Sequence, residues 1–418
     1  MKQQVVIIGA GPSGMLLSWL LVSNNIRVTM IERHPDFSRE FRGEGIQASV
    51  MKHLEDLGLM QAIKDLKMGI PAEAARVFFN ERPVAVLKGI KADTNFGIIL
   101  HQEKFLSYLH NQLSESSLYE SYLGHAAKSF EQNNDKIQGV ATIDRSNKEH
   151  TIRGDIFIVT TGRGTPLRKK LNLKAKKLDT HWDILWILLP KPEDHSLRPK
   201  GFRAYLNGES LFIMYTNPEG MLQMAWSKKD DKILKERNFA KRKNTLLSEI
   251  PSQYRALVES GYLESTRTQY LKVECDRLHR WHHKNVLFLG DAAHTMSPVA
   301  GQGINLAMRD SIVAANHLIS AFEDNKIEFS NVFQSIQQER SKEIRIMQKF
   351  QQKFGYFMLG APVWKSKMFF FKLLPILEKI GIKRRMLKMV QGGVSKVDFL
   401  FPVKKNFSGE GNESHDAH

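Results

Sequence analysis

Glycines at positions 9, 11 and 14, directly after the apolar run 5–8, carry the first chemical signal in the chain. Gly9 permits a tight turn, Gly11 has no side chain to keep a pyrophosphate from the backbone, and Gly14 lets a helix lie close against the preceding strand. Pro12 and Ser13 complete the turn, and a helical stretch over 15–24 offers its amino-terminal N–H groups and positive dipole end to phosphate. Glu32 closes a second apolar run, 28–31, near the ~20-residue offset at which a carboxylate accepts hydrogen bonds from a ribose diol. Arg33 follows it, and Arg42 lies in the polar loop beyond, placed to neutralise a pyrophosphate. The pattern predicts strand, glycine turn, helix, strand and acid, a dinucleotide site.

Two further glycine turns follow buried-looking strands. The run 156–160 leads into Thr161-Gly162-Arg163-Gly164, with Thr165 and Arg168 close behind. The run 286–289 delivers Gly290-Asp291-Ala292-Ala293-His294. Pro298, Gly301, Gln302 and Gly303 then precede a long helix over about 304–322 that carries Asn305 and Asp310. A helix start at such a turn aims backbone N–H groups and a dipole at whatever occupies it, so developing negative charge is stabilised there.

The elements that must position these turns are legible in outline. Short β-like runs occupy 75–79, 84–87 and 96–100, and Phe105, Leu106 and Leu109 make one face of a helix that opens at His101-Gln102. Strands run through 120–158 with a turn at Asn133-Asn134-Asp135, and 182–227 reads as an antiparallel sheet with strands at 184–189, 210–216 and 221–226. The stretches 230–260 and 329 onward read as helical, and the tail after 408 as disordered. The single cysteine, Cys275, excludes an internal disulfide and any Cys-rich metal site, and no metal site is expected. The chain passes from Met1-Lys2 straight into the first strand, leaving no room for a signal peptide, and no apolar run reaches the ~18 residues of a membrane span. A cytoplasmic protein is expected, peripheral on the inner membrane face if basic segment 363–396 meets lipid. The net charge of +17 accompanies no nucleic-acid motif, so no nucleic-acid partner is expected.

Taken together, the three turns resemble those of the aromatic-hydroxylase branch of FAD-dependent monooxygenases, the group that includes p-hydroxybenzoate hydroxylase and the ubiquinone-biosynthesis hydroxylases. Gly9 to Gly14 with Glu32 resembles the family's ADP-binding motif, and Gly290 to His294 with Pro298, Gly301 and Gly303 its second FAD motif. Arg42 with Gly45-Ile46, and Gln102 with Phe105 and Leu109, are similar to a loop arginine and a flavin-contacting glutamine of that family. The likeness spans roughly 1–350. Thr161-Gly162 departs from the family's Asp-Gly pair, and the lost charge bears chiefly on the reductant.

The resemblance implies an α/β fold: a Rossmann-like FAD-binding domain interleaved with an antiparallel β-sheet substrate domain, plus a helical carboxy-terminal region. The expected division is 1–180 and 276–350 for FAD, interrupted by substrate-domain strands around 75–100, with 181–275 for substrate, 351–407 helical and basic, and 408–418 disordered. It implies non-covalent FAD, NADPH or NADH as co-substrate, and hydroxylation of an aromatic or polyketide-like molecule with O2 through a flavin C4a-hydroperoxide. Asp291 would accept from ribityl hydroxyls, Gly162 would join the cofactor-binding set, and Pro298, Gly301 and Gly303 would form the catalytic turn. Alternatives are an FAD-dependent halogenase, an isoprenoid or quinone-pathway oxidoreductase, and a structural or sensing FAD protein. Trp182, Trp186, Tyr205, Tyr215 and Trp226 are candidates to line an apolar pocket, His181 and Tyr215 for acid–base work, and His294 for scaffold. Segment 363–396 mixes Phe, Leu and Ile with Lys and Arg, which suits a helical cap over the substrate domain or an interfacial helix on anionic lipid.

Overall fold

The computed structural model describes residues 4–38, 44–89, 95–133, 136–179, 182–323 and 328–403. Arg42, Asn134, Asp135, His181 and the tail 408–418 lie outside the described residues.

Strand Gln4–Ile8 is buried from Val5 onward and sits inside a six-stranded sheet. The order is His282–His283, Val286–Phe288, Ile156–Val159, Gln4–Ile8, Arg27–Glu32, Tyr119–Leu123. All neighbours are parallel except the edge pair formed by His282–His283. Continuous apolar runs such as Val5-Val6-Ile7-Ile8 and Ile156-Phe157-Ile158-Val159 are what a parallel strand covered on both faces requires. Register does the rest. Ile8 lies opposite both Ile31 and Val159, and Val159 opposite Phe288, so the three glycine turns leave one edge of the sheet side by side.

Helix Pro12–Val22 is buried from Ser13 to Val22, as its nearly all-apolar circumference demands. It packs against helix Gln302–Glu323, which in turn packs against helix Phe329–Gly355.

A second, seven-stranded sheet has the order Thr268–Leu271, Ile184–Leu189, Leu222–Lys228, Ser210–Thr216, Gly201–Leu206, Ala74–Phe79, Arg82–Leu87. It is antiparallel except where Gly201–Leu206 runs parallel to Ala74–Phe79. Gly201–Leu206 was not among the strands read from sequence. Arg203 interrupts its apolar alternation, and inside the protein that guanidinium donates to the Tyr254 hydroxyl at 2.9 Å. The sheet's two faces bury different clusters. Ile184, Trp186, Tyr215 and Ala225 pack with the carboxy-terminal Phe369, Phe370 and Leu374. Leu185, Ile187, Tyr205, Phe212 and Trp226 pack with Leu246 on helix Phe239–Glu249, Tyr254 on the turn Ser252–Tyr254 and Val258 on helix Arg255–Gly261.

Beyond Gly355 the chain makes a π-helical turn, Tyr356–Gly360, and then the short helical segments Val363–Met368, Phe369–Leu373, Leu374–Lys379 and Ile382–Gly392. Phe357 and Phe369 stack with centroids 4.3 Å apart. These segments, called the cap below, cover the inner face of the seven-stranded sheet. No helix among the described residues is long and apolar enough to cross a membrane.

Candidate active site

The first two turns lock together. Gly9 has φ +110, and a Cβ there would lie 2.7 Å from the Thr160 carbonyl carbon. A Cβ on Gly14 would lie 2.0 Å from the Gly9 carbonyl oxygen, so both positions exclude a side chain. The Thr160 hydroxyl donates to the Gly9 carbonyl at 2.7 Å. The buried Glu32 carboxylate accepts from the Ala10 N–H at 2.8 Å and the His34 N–H at 3.0 Å, which ties the first turn to the end of the second strand. No side chain caps the amino terminus of helix Pro12–Val22, leaving its first N–H groups without partners in the helix. The Ser13 hydroxyl is shared with Ser311 at 2.7 Å.

The second and third turns meet through charge. Arg163 Nη2 stands 3.3 Å from Asp291 Oδ2, while its Nε and Nη1 are buried with no protein partner among the described residues. Arg168 donates to the carbonyls of Ala292 at 2.6 Å and Asp291 at 3.0 Å, and to the Asp276 carboxylate at 2.6 Å. One guanidinium thus fixes the backbone that presents Asp291.

Behind that backbone lies a buried charge network. Asp310 Oδ2 accepts from the Gly290 N–H at 3.1 Å and pairs with His294 Nε2 at 2.7 Å. Its other oxygen accepts from Arg340 Nε at 2.7 Å. Arg340 also pairs with Glu343, which Arg309 reaches at 3.1 Å. Burial pushes the Asp310 carboxyl up, but His294 and Arg340 outweigh it and hold the group below the usual carboxylate range. Glu343 is held low by Arg340 and Arg309 against the same opposing burial.

The turn before helix Gln302–Glu323 has Ala300 at φ 60 and Gly301 at φ 59, both left-handed. Side-chain amides hold it there. Asn305 donates to the carbonyls of Gly45 and Gly301, Gln47 and Gln302 donate to the Ala300 carbonyl, and Gln351 donates to those of Ser297 and Val299.

All these turns open on a cavity of about 910 Å³. Of the site residues expected from the sequence, Gly9, Gly11, Pro12, Ser13, Glu32, Arg33, Gln102, Gly162, Asp291, Pro298, Gly301 and Gly303 border it. Gly14, Gln302 and Asn305 do not. Gly14 is packed on Gly9, while Gln302 and Asn305 spend their amides bracing the turn. Trp186 and Tyr215 border the cavity, but Tyr205 and Trp226 lie on the opposite face of the sheet, because side chains alternate along a strand. Trp182 stands instead by Cys275 and Gly355. Arg163, Phe202 and the cap residues Phe370, Leu374 and Leu387 border the cavity although the sequence assigned none of them a site role. Arg163 had a signal, a cation between two glycines at a strand end. The cap residues had the apolar and basic mix of 363–396, for which a helical cap over the substrate domain is one of two readings, but nothing that singled out Phe370, Leu374 or Leu387.

Next to Tyr215, behind the apolar end, stands one unusual group. The Glu44 carboxyl is pushed up to about 8 by burial and by the nearby Glu219, and its Oε2 has no protein partner among the described residues. Glu219 in turn meets His101 Nε2 at 3.1 Å. Burial, then the charge of Glu44, raise the neighbouring Tyr215 phenol well above its ordinary range, so it stays protonated.

The profile of the FAD binding domain family matches residues 2–341. The 6-methylpretetramide 4-monooxygenase of Streptomyces rimosus is 26% identical over 317 residues, covering 74% of this chain and 73% of the relative. The kynurenine 3-monooxygenase of Stenotrophomonas maltophilia is 25% identical over 366 residues, covering 83% and 78%. Among solved structures, p-nitrophenol 4-monooxygenase from Pseudomonas putida superposes with a TM-score of 0.75 at 18% identity over 94% of this chain and all of that one. The flavin-dependent brominase Bmp2 gives 0.75 at 15% identity over 93% of each chain, a likeness of fold. With its three glycine turns on one sheet edge and a profile match over most of its length, the chain belongs to the FAD binding domain family and is a flavin-dependent monooxygenase.

Proposed function

We propose that FAD lies along the polar length of the cavity, its adenosine ribose at Glu32, its pyrophosphate at Gly11 and the start of helix Pro12–Val22, and its ribityl chain at Asp291. The observation that carries this reading is one cavity with two characters: three glycine turns along one part, the apolar face of the seven-stranded sheet along the other. The donor set fits the cofactor. Arg163 Nε and Nη1 and the Thr165 hydroxyl are buried polar groups bordering the cavity that lack protein partners among the described residues, and an anionic, hydroxyl-rich ligand would engage them. Nothing lies within 4 Å of a Cβ built at Gly162 or Gly301, and only Asp291 Oδ1, at 4.0 Å, approaches one at Gly303, so these glycines leave free the space a flat ring system needs. Bound FAD would supply two-electron chemistry, taking a hydride from NADPH or NADH and activating O2 for insertion of one oxygen atom into the substrate.

The chain's own residues would do the rest. The N–H groups at Gly301 to Gly303 and the dipole of helix Gln302–Glu323 would stabilise negative charge at the turn. Trp186, Phe202 and Tyr215 would hold an aromatic or polyketide-like substrate and keep out water. Glu44 would remain protonated at neutral pH and donate or accept a proton beside Tyr215. Residues 1–180 and 276–350 would serve the cofactor and 181–275 the substrate, with strands Ala74–Phe79 and Arg82–Leu87 completing the substrate sheet.

The test is to record the yellow flavin spectrum of the purified protein, then follow NADPH and NADH oxidation, anaerobically and in air, against phenols, quinone precursors and polyketides. Substrate-stimulated flavin reduction with O2 consumption is expected. A flavin left oxidised by both nicotinamides and every compound would replace the nicotinamide-fed reading with one in which a partner supplies electrons.

A further inference from the structure

The cap has two apolar sides, and only one is covered. Inward, Phe370, Leu374 and Leu387 border the cavity. Outward, Trp364 is 61% exposed, Ile376 54% and Ile380 62%, with Met368, Phe371 and Leu373 between them also exposed. Elsewhere among the described residues exposed large apolar side chains occur singly, at Leu66, Val86, Leu263 and Leu400. Exposed apolar side chains gathered on one short stretch of chain mark an interaction surface, whereas scattered ones need no explanation.

Charge says what covers it. Segment 363–388 carries eight cations, Lys365, Lys367, Lys372, Lys379, Lys383, Arg384, Arg385 and Lys388, against one acid, Glu378. Glu378 is already paired with Lys383 at 2.8 Å. Lys367, Lys372, Lys379, Arg384, Arg385 and Lys388 are exposed alongside the apolar side chains. The Lys365 ammonium lies 5.3 Å from the Trp364 ring, pairing a cation with the side chain best suited to a lipid–water boundary. A second copy of this chain would present the same cations to these, and like charges across an interface repel. An anionic bilayer meets both demands, taking the apolar side chains below its headgroups and neutralising the cations.

We propose that the outer face of the cap, around Trp364, Ile376 and Ile380, seats this protein on an anionic lipid surface. The docking does not depend on the flavin chemistry proposed above. Full-length, FAD-loaded protein is co-sedimented with vesicles of phosphatidylglycerol and phosphatidylcholine, and with vesicles of phosphatidylcholine alone. Binding to the anionic vesicles only is expected. The triple variant Trp364→Ser, Ile376→Ser, Ile380→Ser should bind them roughly tenfold or more weakly, and so should Lys367→Glu, Lys372→Glu, Lys379→Glu. All six side chains are exposed, so flavin absorbance and melting temperature should match the parent. Equal binding to both vesicle types, undiminished binding by either variant, or a parent that stays in the supernatant would each overturn the proposal. A lipid-free dimer that the serine variant dissociates would assign the face to a second copy instead.

Discussion

The turn at 290–303 and the cap at 363–392 border the same cavity but are held by different forces. Behind the turn, Asp310, Arg340, Glu343 and Arg309 are buried and bonded in sequence, and Asp310 reaches the Gly290 N–H itself. Beneath the cap the contacts are aromatic, with Phe357 stacked on Phe369 and Phe354 edge-on to Phe370. Hydrogen bonds between charged groups fail when one partner is lost, because the other remains buried and unpaired. Apolar contacts tolerate exchange of one shape for a similar one. The polar wall is therefore fixed in position, and the apolar wall can be remodelled. For a flavin enzyme that is a useful division, since the cofactor is constant while the substrate is what distinguishes relatives.

The largest effect expected is at Arg340. Arg340→Leu leaves Asp310 and Glu343 buried without their shared partner and should cost about 3–5 kcal/mol in chemical denaturation, with loss of FAD. Met358→Leu, in the apolar cluster under the cap, should cost less than about 1.5 kcal/mol and keep FAD. Equal losses would break the comparison.

A second pair separates packing from ligand space within the polar wall. Gly14→Ala puts a methyl 2.0 Å from the Gly9 carbonyl and should destabilise the free protein. Gly303→Ala meets no protein atom closer than Asp291 Oδ1 at 4.0 Å, so it should leave the melting temperature of cofactor-free protein unchanged. Its methyl enters space assigned to flavin and should weaken FAD by about 1–3 kcal/mol, roughly five- to 150-fold in Kd. FAD titration by fluorescence quenching separates the two, and an unchanged Kd for Gly303→Ala would move the flavin off that turn.

The same contrast explains what could be read in the sequence. The polar wall depends on residue types at fixed short spacings, so Gly9 to Gly14, Glu32 and Gly290 to Gly303 stood out, and parallel pairing brought them together. Its support was less visible. Arg340 and Glu343 read as ordinary charges of a long helix, because their partners Asp310 and Arg309 lie outside local sequence range. The apolar wall depends on which face of a strand points inward. Trp186 and Trp226 look alike in sequence and end on opposite sides of one sheet, and the pocket's cap comes from residues far along the chain. Strand Gly201–Leu206 escaped notice because Arg203 breaks its pattern and its parallel partner is Ala74–Phe79.

The effect that depends on pH is at Glu44, where a charge site stands beside the apolar wall. In the unfolded chain this carboxyl titrates near its ordinary 4.5, and in the folded protein burial and Glu219 raise it to about 8. Between those values the folded state binds more protons than the unfolded one. Stability contributed at this position is thus fully present below about 4.5 and is lost as pH rises through about 8. Glu44→Gln keeps the shape and removes the titration. Melting temperatures of parent and variant, measured from about pH 5 to about pH 9, should converge at the acid end, separate progressively up to about pH 8 and run parallel beyond it, with the variant the more stable. Parallel curves would show that Glu44 is solvated, and the apolar wall would then extend without a charge from Trp186 to the cap.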